Sequence, residues 1–202
     1  NICALDLSKA FDKMNHYGLF IKLMDRQIPV QLLQLLEFWF RSGLTCVKWG
    51  DCFSAFYSQA RGIRQGGVLS PYLFALYIDS VIEKVRRSRV GCEIKLESVG
   101  IIVYADDILL VAPTVTALQL LLKMCENELN WLAMSINASK SACLRIGKDY
   151  KTVPVCIRTI DGREIPWQDN VRYLGMHLVA NNVFSCSFDN AKKSYYRAFN
   201  AI

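Results

Sequence analysis

The sequence predicts an α+β fold: a mostly antiparallel sheet with helices packed on one face. Three observations predict it. Short aliphatic and β-branched runs, such as Ile2–Leu7 and Gly100–Val111, alternate with helical segments in no regular βαβ rhythm. Turn residues separate neighbouring runs, as Gly50 and Asp51 do between Thr45–Trp49 and Cys52–Tyr57. Hydrophobic residues make up 52% of the 202 positions, enough to fill a sizeable core and too many for a disordered chain.

The elements follow in order. Ile2–Leu7 is a short apolar strand ending near Asp6. A helix is expected around His16–Asp25. Pro29 opens a second, VQLLQLLEFWFRS, whose apolar positions recur at helical spacing. Thr45–Trp49 and Cys52–Tyr57 form a hairpin, and GIRQGG is a turn-rich connection. Ser70 caps the next helix and Pro71 occupies its first turn. That helix runs from apolar to basic, and cations in its last turn suit the helix dipole. Gly100–Val111 carries two strand halves around Asp106 and Asp107. Thr114 caps an amphipathic helix over about Val115–Met134, and Asn137–Lys140 is a loop. Ser141–Ile146, Lys151–Ile157 and Val171–Leu178 are strands, with the polar DGREIPWQDN between the last two. KKSYYRAFNAI opens a helix. No repeat, low-complexity tract or long linker interrupts the chain. Its first residues already form a strand and its last begin a helix, so we expect both ends to lie inside a longer polypeptide.

The formal net charge is +6, from 24 basic and 18 acidic residues. This is compatible with a nucleic-acid partner and equally with a solvated basic face. The densest basic cluster, Lys84, Arg86, Arg87 and Arg89, admits the same two readings. The eight cysteines are widely and irregularly spaced, mostly with apolar flanks and without a Cys-x-x-Cys. We therefore expect reduced, largely buried thiols in an intracellular protein rather than disulfides or structural zinc. No apolar run is long enough to span a membrane.

The chemistry concentrates in VYADDILLV, Val103–Val111. Two adjacent carboxylates interrupt an apolar run. Asp favours turns, so a hairpin tip is the simplest account. Paired charges there repel unless protons or cations compensate. Asp6 has similar surroundings at the end of its own strand. If that strand lies beside the Val103 hairpin, Asp6 faces Asp106 and three carboxylates converge at a sheet edge. Such a group suits hard divalent cations, Mg2+ first among them.

These segments resemble the palm of a reverse transcriptase of the non-LTR retrotransposon (LINE-like) branch. The resemblance rests on ALDLSKAFDKMNH (Ala4–His16), RGIRQGGVLSPYLFALYIDSV (Arg61–Val81), VYADDILLV, SINASKS (Ser135–Ser141) and VRYLGMHL (Val171–Leu178), in family order over nearly the whole chain. It implies an RNA-directed DNA polymerase that transfers a nucleotide from a dNTP to a primer 3′-hydroxyl. Asp6, Asp106 and Asp107 would be the catalytic carboxylates, and the Leu7 carbonyl would join them in holding two Mg2+ ions, with Mn2+ as a substitute. Phe11 would be the steric gate that refuses a 2′-hydroxyl; without the family it reads as a buried aromatic. Asp12 would serve the helix start. Gln65 and Gly66 would lie against the nucleotide and templating base, with Arg64 able to reach phosphate. Lys140 would protonate the departing pyrophosphate. Tyr104 would pack near the primer end, and Tyr173, Leu174 and Gly175 would form the primer grip.

The resemblance further implies a palm over residues 1–180, with a fingers-proximal part at 26–70, and the start of a connection to the thumb at 181–202. Its partners would be an RNA template, a DNA primer, dNTPs and flanking fingers and thumb regions, with no membrane. Action in the nucleus is expected if the parent element primes synthesis at chromosomal DNA. The alternative is a domesticated or degenerate palm that binds nucleic acid as a scaffold without catalysis. A more general nucleotidyltransferase or cyclase-like palm shares paired aspartates, but the Gln65-Gly66 loop and the Tyr173–Gly175 segment argue against it.

Overall fold

The computed structural model describes residues 1–152 and 154–200 and divides into two compact units. One comprises residues 1–8, 80–131, 135–152 and 154–200. The other comprises 9–79 and 132–134. The Ser70–Ser88 helix contributes to both.

The first unit is built on a four-stranded antiparallel sheet in the order Ala142–Leu144, Ile2–Asp6, Asp107–Val111, Ile101–Tyr104. Strand alternation gives its faces different coverings. Cys3, Leu5, Ile108 and Leu110 are all nearly or wholly buried. They occupy the face served by the Val115–Trp131 helix, which buries Leu118, Leu121, Leu122, Cys125 and Leu129. The Thr114 hydroxyl caps that helix by accepting from the Ala117 N–H at 3.1 Å. On the opposite face Ile2, Leu109, Ala142 and Leu144 pack against Val171, Tyr173 and Leu178. Those three come from a second antiparallel sheet of Asn170–Tyr173, Met176–Val179 and Ser185–Ser187. Burying each such aliphatic chain contributes about 1.5–3 kcal/mol. The Val115–Trp131 helix lies on one face, as expected, but the other face is covered by strands.

The second unit packs Met14, Leu19 and Leu23 with Ile63, Leu73, Phe74, Tyr77 and Ile78. The Tyr77 hydroxyl donates to the Leu132 carbonyl at 2.7 Å and accepts from the Asn15 N–H at 3.3 Å, satisfying a buried polar group. The Val30–Ser42 helix begins at Pro29 as expected but buries none of its residues.

Several elements differ from the sequence expectation. Ser70 is the first residue of its helix rather than its cap, with Leu69 accepting from the Leu73 N–H; the Ser70 hydroxyl donates to the Arg64 carbonyl at 2.6 Å and closes the preceding loop onto the helix start. The hairpin around Gly50 is broken into two short rungs, Leu44–Thr45 with Tyr57–Ser58 and Lys48–Trp49 with Cys52–Phe53. A hairpin of Glu93–Ile94 and Glu97–Ser98, unforeseen, precedes the Ile101 strand. The Val115 helix stops at Trp131, short of Met134. The expected Lys151–Ile157 strand is reduced to Ile157–Arg158, because turn hydrogen bonds at Tyr150 and Thr152 occupy the backbone before it; Val153 lies outside the described residues. Val171–Leu178 is a hairpin, because Leu174 and Gly175 take positive φ, 48° and 79°, and reverse the chain. The terminal helix spans Asp189–Phe199, and Ala201 and Ile202 lie outside the described residues.

All eight cysteines are free thiols. Burial, with the Glu126 charge beside it, pushes the Cys125 thiol up to about 12, so little reactive thiolate forms there at neutral pH. Lys84 pairs with Glu128 and Arg87 with Glu83, both at 2.9 Å, so part of the basic cluster is spent on local ion pairs. Among the described residues no helix is long and apolar enough to cross a membrane.

Candidate active site

Tyr104 pairs with Asp107, leaving Ala105 and Asp106 as a two-residue turn. Ala105 has φ 52°, the left-handed conformation that a II′-type hairpin requires at its first turn position. A non-glycine residue there stores about 1–2 kcal/mol. This turn sets the position of both carboxylates. Asp106 stands at the tip and Asp107 begins the strand, so the residue opposite Asp6 is Asp107, not Asp106 as the sequence suggested.

The backbone around Asp6 sharpens that geometry. Its carbonyl accepts from the Asn137 N–H at 2.8 Å, and its N–H donates to Ser141 Oγ at 3.0 Å. Both backbone groups of Asp6 therefore point away from the Asp107 strand. Asp6 and Asp107 form a non-hydrogen-bonded pair, the arrangement in which opposed side chains come closest. By the same alternation, the Leu7 carbonyl is directed to the Asp107 side.

The 135–141 segment acts as a clamp on this strand end. The Ser8 N–H donates to the Ser135 carbonyl at 2.9 Å, and Leu7 bridges Ile136. Ser141, 1% exposed, donates its hydroxyl to the Asn137 carbonyl at 2.8 Å while receiving the Asp6 N–H. Ser141→Ala strands a buried N–H beside Asp6. It is expected to cost about 1–3 kcal/mol, readable as a lower midpoint in urea denaturation.

The carboxylates feel one another. Burial pushes the Asp107 carboxyl above its ordinary range, the negative charges of Asp106 and Asp6 push it further, and Arg172 opposes them. All three aspartates are half-buried. Among the described residues no three His, Cys, Asp or Glu side chains come together tightly enough to form a finished metal site. The donor set nonetheless fits a hard cation. It is all oxygen, formally −3, and its repulsion is relieved by positive charge. Arg172, exposed on the Asn170–Tyr173 strand, was not singled out from the sequence; its only advance signal is its place beside Tyr173.

The remaining sequence candidates distribute as follows. In the first unit Lys140 is exposed in the 137–141 turn, Tyr104 is exposed beside the hairpin tip, and Leu174 and Gly175 form the outward turn of their hairpin. Tyr173 points inward and is 8% exposed. In the second unit Phe11 stacks on Phe74 with ring centroids 4.5 Å apart. The Phe11 carbonyl accepts from the Ile63 N–H at 2.8 Å, and the Met14 carbonyl accepts from the Gly62 N–H at 2.7 Å. The Phe11–Met14 segment and the loop from Gly62 are thus held together. His16 Nε2 lies 2.6 Å from the Gly62 carbonyl. Arg64, Gln65 and Gly66 are exposed beyond this anchor, and open space surrounds the position a Gly66 side chain would take.

The family model described as reverse transcriptase (RNA-dependent DNA polymerase) matches residues 2–178. The Pol polyprotein of the type-2 retrotransposable element R2DM of Drosophila melanogaster is 28% identical over 92% of this chain and 18% of its own length. The Pol polyprotein of the type-1 retrotransposable element R2 of Nasonia vitripennis is 27% identical over 87% of the chain and 18% of its own length. The RNA-directed DNA polymerase of the mobile element jockey from Drosophila funebris is 26% identical over 96% and 21%. The chain thus spans about a fifth of these relatives. In structure it resembles telomerase from Candida albicans in complex with a telomeric RNA fragment. That match has a TM-score of 0.64 and 13% identity, over 92% of this chain and 30% of the other. Apo telomerase from Candida tropicalis matches at 0.63 with 12% identity, over 92% and 35%.

Proposed function

This chain belongs to the reverse transcriptase (RNA-dependent DNA polymerase) family, and on that premise we propose that it carries the catalytic palm of a non-LTR retrotransposon polymerase that copies RNA into DNA. The observation that carries the proposal is the direct opposition of Asp6 and Asp107 across two paired strands, with Asp106 at the adjoining tip. Directly opposed like charges destabilise a sheet by about 0.2–1 kcal/mol. A purely structural strand end has no use for them.

In this reading Asp6, Asp106 and Asp107, with the Leu7 carbonyl, would hold two Mg2+ ions. Bound there, such ions activate a primer hydroxyl and neutralise a triphosphate. The residues of the chain supply position and charge. The 135–141 clamp holds the Asp6 backbone, and the Ala105–Asp106 turn presents the other two carboxylates. Lys140 is exposed in the turn that also carries the clamp, where an ammonium can give a proton to a leaving pyrophosphate. Phe11, braced by Phe74, serves as a flat, rigid gate against a 2′-hydroxyl. Gln65 and open-sided Gly66 accept a base pair against backbone. Leu174 and Gly175 hold the primer terminus by backbone shape.

The test is RNA-templated primer extension with Mg2+ by the whole polypeptide that carries this sequence. The expected result is addition of deoxynucleotides and poor addition of ribonucleotides. Tight primer–template binding without extension would instead support a non-catalytic scaffold.

A further inference from the structure

Tyr173 lies in the segment compared above with a primer grip, yet its surroundings are not those of a substrate contact. It is 8% exposed and packs in the apolar cluster with Leu109, Ala142 and Val171. Its hydroxyl is buried and has no hydrogen-bond partner among the described residues. Phenylalanine would fill the same space without stranding a polar group.

The location of that hydroxyl is specific. Along the Asp107–Val111 strand, Asp107 shares a face with Leu109 and Val111, and both of these pack in the cluster that contains Tyr173. Asp107 is the member of that row at the open end of the sheet. Its negative charge, after burial, is what pushes the Tyr173 phenol above its ordinary range, so phenol and carboxylate lie within electrostatic reach. The tight Leu174–Gly175 turn fixes which way Tyr173 points, since Tyr173 pairs with Met176 across it. The other charges acting on Asp107 are Asp106, Asp6 and Arg172. Arg172 sits on the opposite, exposed side of the hairpin strand. The phenol is therefore an uncommitted donor on the buried side of a carboxylate that must be held still.

We propose that Tyr173 is a positioning residue for the carboxylate site: its hydroxyl donates to Asp107 and fixes that side chain in the loaded enzyme. The inference rests on the reading of Asp107 as a catalytic carboxylate. It assigns Tyr173 a role inside the protein rather than on the primer. No proton is transferred in this step; a hydrogen bond forms and a rotamer is selected.

The test compares wild type and Tyr173→Phe in the whole polypeptide, by steady-state primer extension and by thermal denaturation without metal. The expected result is a fall in kcat of about tenfold or more, the usual effect of removing an outer partner of a metal-binding side chain. KM for the dNTP should stay within about twofold, since no dNTP or primer contact is lost. The metal-free Tm should be unchanged or higher, because the stranded hydroxyl is gone. A Tyr173→Phe enzyme with wild-type kcat overturns the inference and leaves the polymerase reading intact. So does a variant whose Tm falls, which would mean that the hydroxyl serves the fold. A variant that raises KM for primer at unchanged kcat returns Tyr173 to the primer. A wild type that extends no primer removes the polymerase reading itself, and this inference with it.

Discussion

Replacing Asp107 with Asn is expected to abolish RNA-templated extension while making the metal-free chain more stable. The two effects have one cause. Asp107 is opposed to Asp6 in a close, non-hydrogen-bonded strand pair and adjoins Asp106. Burial and the two like charges raise its carboxyl above the ordinary value of 3.8. The folded state therefore holds this proton more tightly than the unfolded state does. Stability is then lost as pH rises from the ordinary carboxylate value through the raised one, and it is regained on acidification. Asparagine removes the repulsion. The variant should exceed wild type by about 0.2–1 kcal/mol at neutral pH, or up to about 4 °C in Tm. That difference should vanish below the ordinary carboxylate pH. Mg2+ should raise the Tm of wild type and have a much smaller effect on Asp107→Asn. Extension should fall at least about a hundredfold, some 2.7 kcal/mol in the barrier. Differential scanning calorimetry against pH and Mg2+, beside the extension assay, reads all of these. A variant less stable than wild type at neutral pH would contradict the repulsion argument.

The second large effect is expected at Gly62. Its φ is +82°, in the left-handed region where a side chain is strained. A β-carbon there would come within 2.6 Å of the Asp12 carbonyl oxygen and 2.8 Å of its carbonyl carbon. These are backbone atoms and cannot swing aside. The same residue gives its N–H to Met14 and lies with its carbonyl against His16. Gly62→Ala must therefore break the anchor that joins the Phe11–Met14 segment to the loop of Arg64, Gln65 and Gly66. Backbone strain of about 1–2 kcal/mol and overpacking of about 1–3 kcal/mol sum to roughly 2–5 kcal/mol. The Tm should fall by about 4 °C or more. Amide hydrogen exchange should accelerate at Gly62 and Ile63 before the Val115–Trp131 helix is affected. By contrast, Gly50→Ala meets no steric obstacle at its tip and should cost only its turn strain.

Much of this is legible in the residues alone. The helical spacing of VQLLQLLEFWFRS after Pro29 marks the Val30–Ser42 helix to the residue. Thr114 announces the start of the Val115–Trp131 helix, and the alternation around Asp106 and Asp107 marks a hairpin rather than one strand. These are local signals, carried by periodicity and turn chemistry. The misreadings lie where local signals agree and tertiary pairing decides. Ser70 has the chemistry of a cap, but the helix begins one position earlier than that role needs, with Leu69 accepting from the Leu73 N–H, and the Ser70 hydroxyl donates to the Arg64 carbonyl instead. Val171–Leu178 reads as one strand because Leu174 does not look like a turn residue; pairing of Tyr173 with Met176 forces it into one. The apolar stripe of Val30–Ser42 marks a face but not what would cover it.

The residues alone single out Asp6, Asp106, Asp107 and Gly66 as candidates for a site, because charge inside apolar runs and the motif order of Ala4–His16, Arg61–Val81 and Val103–Val111 need no fold to be read. Only the tertiary structure decided that Asp107 rather than Asp106 opposes Asp6. It also decided that Ser141 and Asn137 lock the Asp6 backbone, and that Tyr173 turns its hydroxyl inward. The physical reason is register. A strand has period two, so a shift of one residue moves every side chain to the other face. That choice is made by a turn and a partner strand distant in sequence, which no short stretch of the chain encodes.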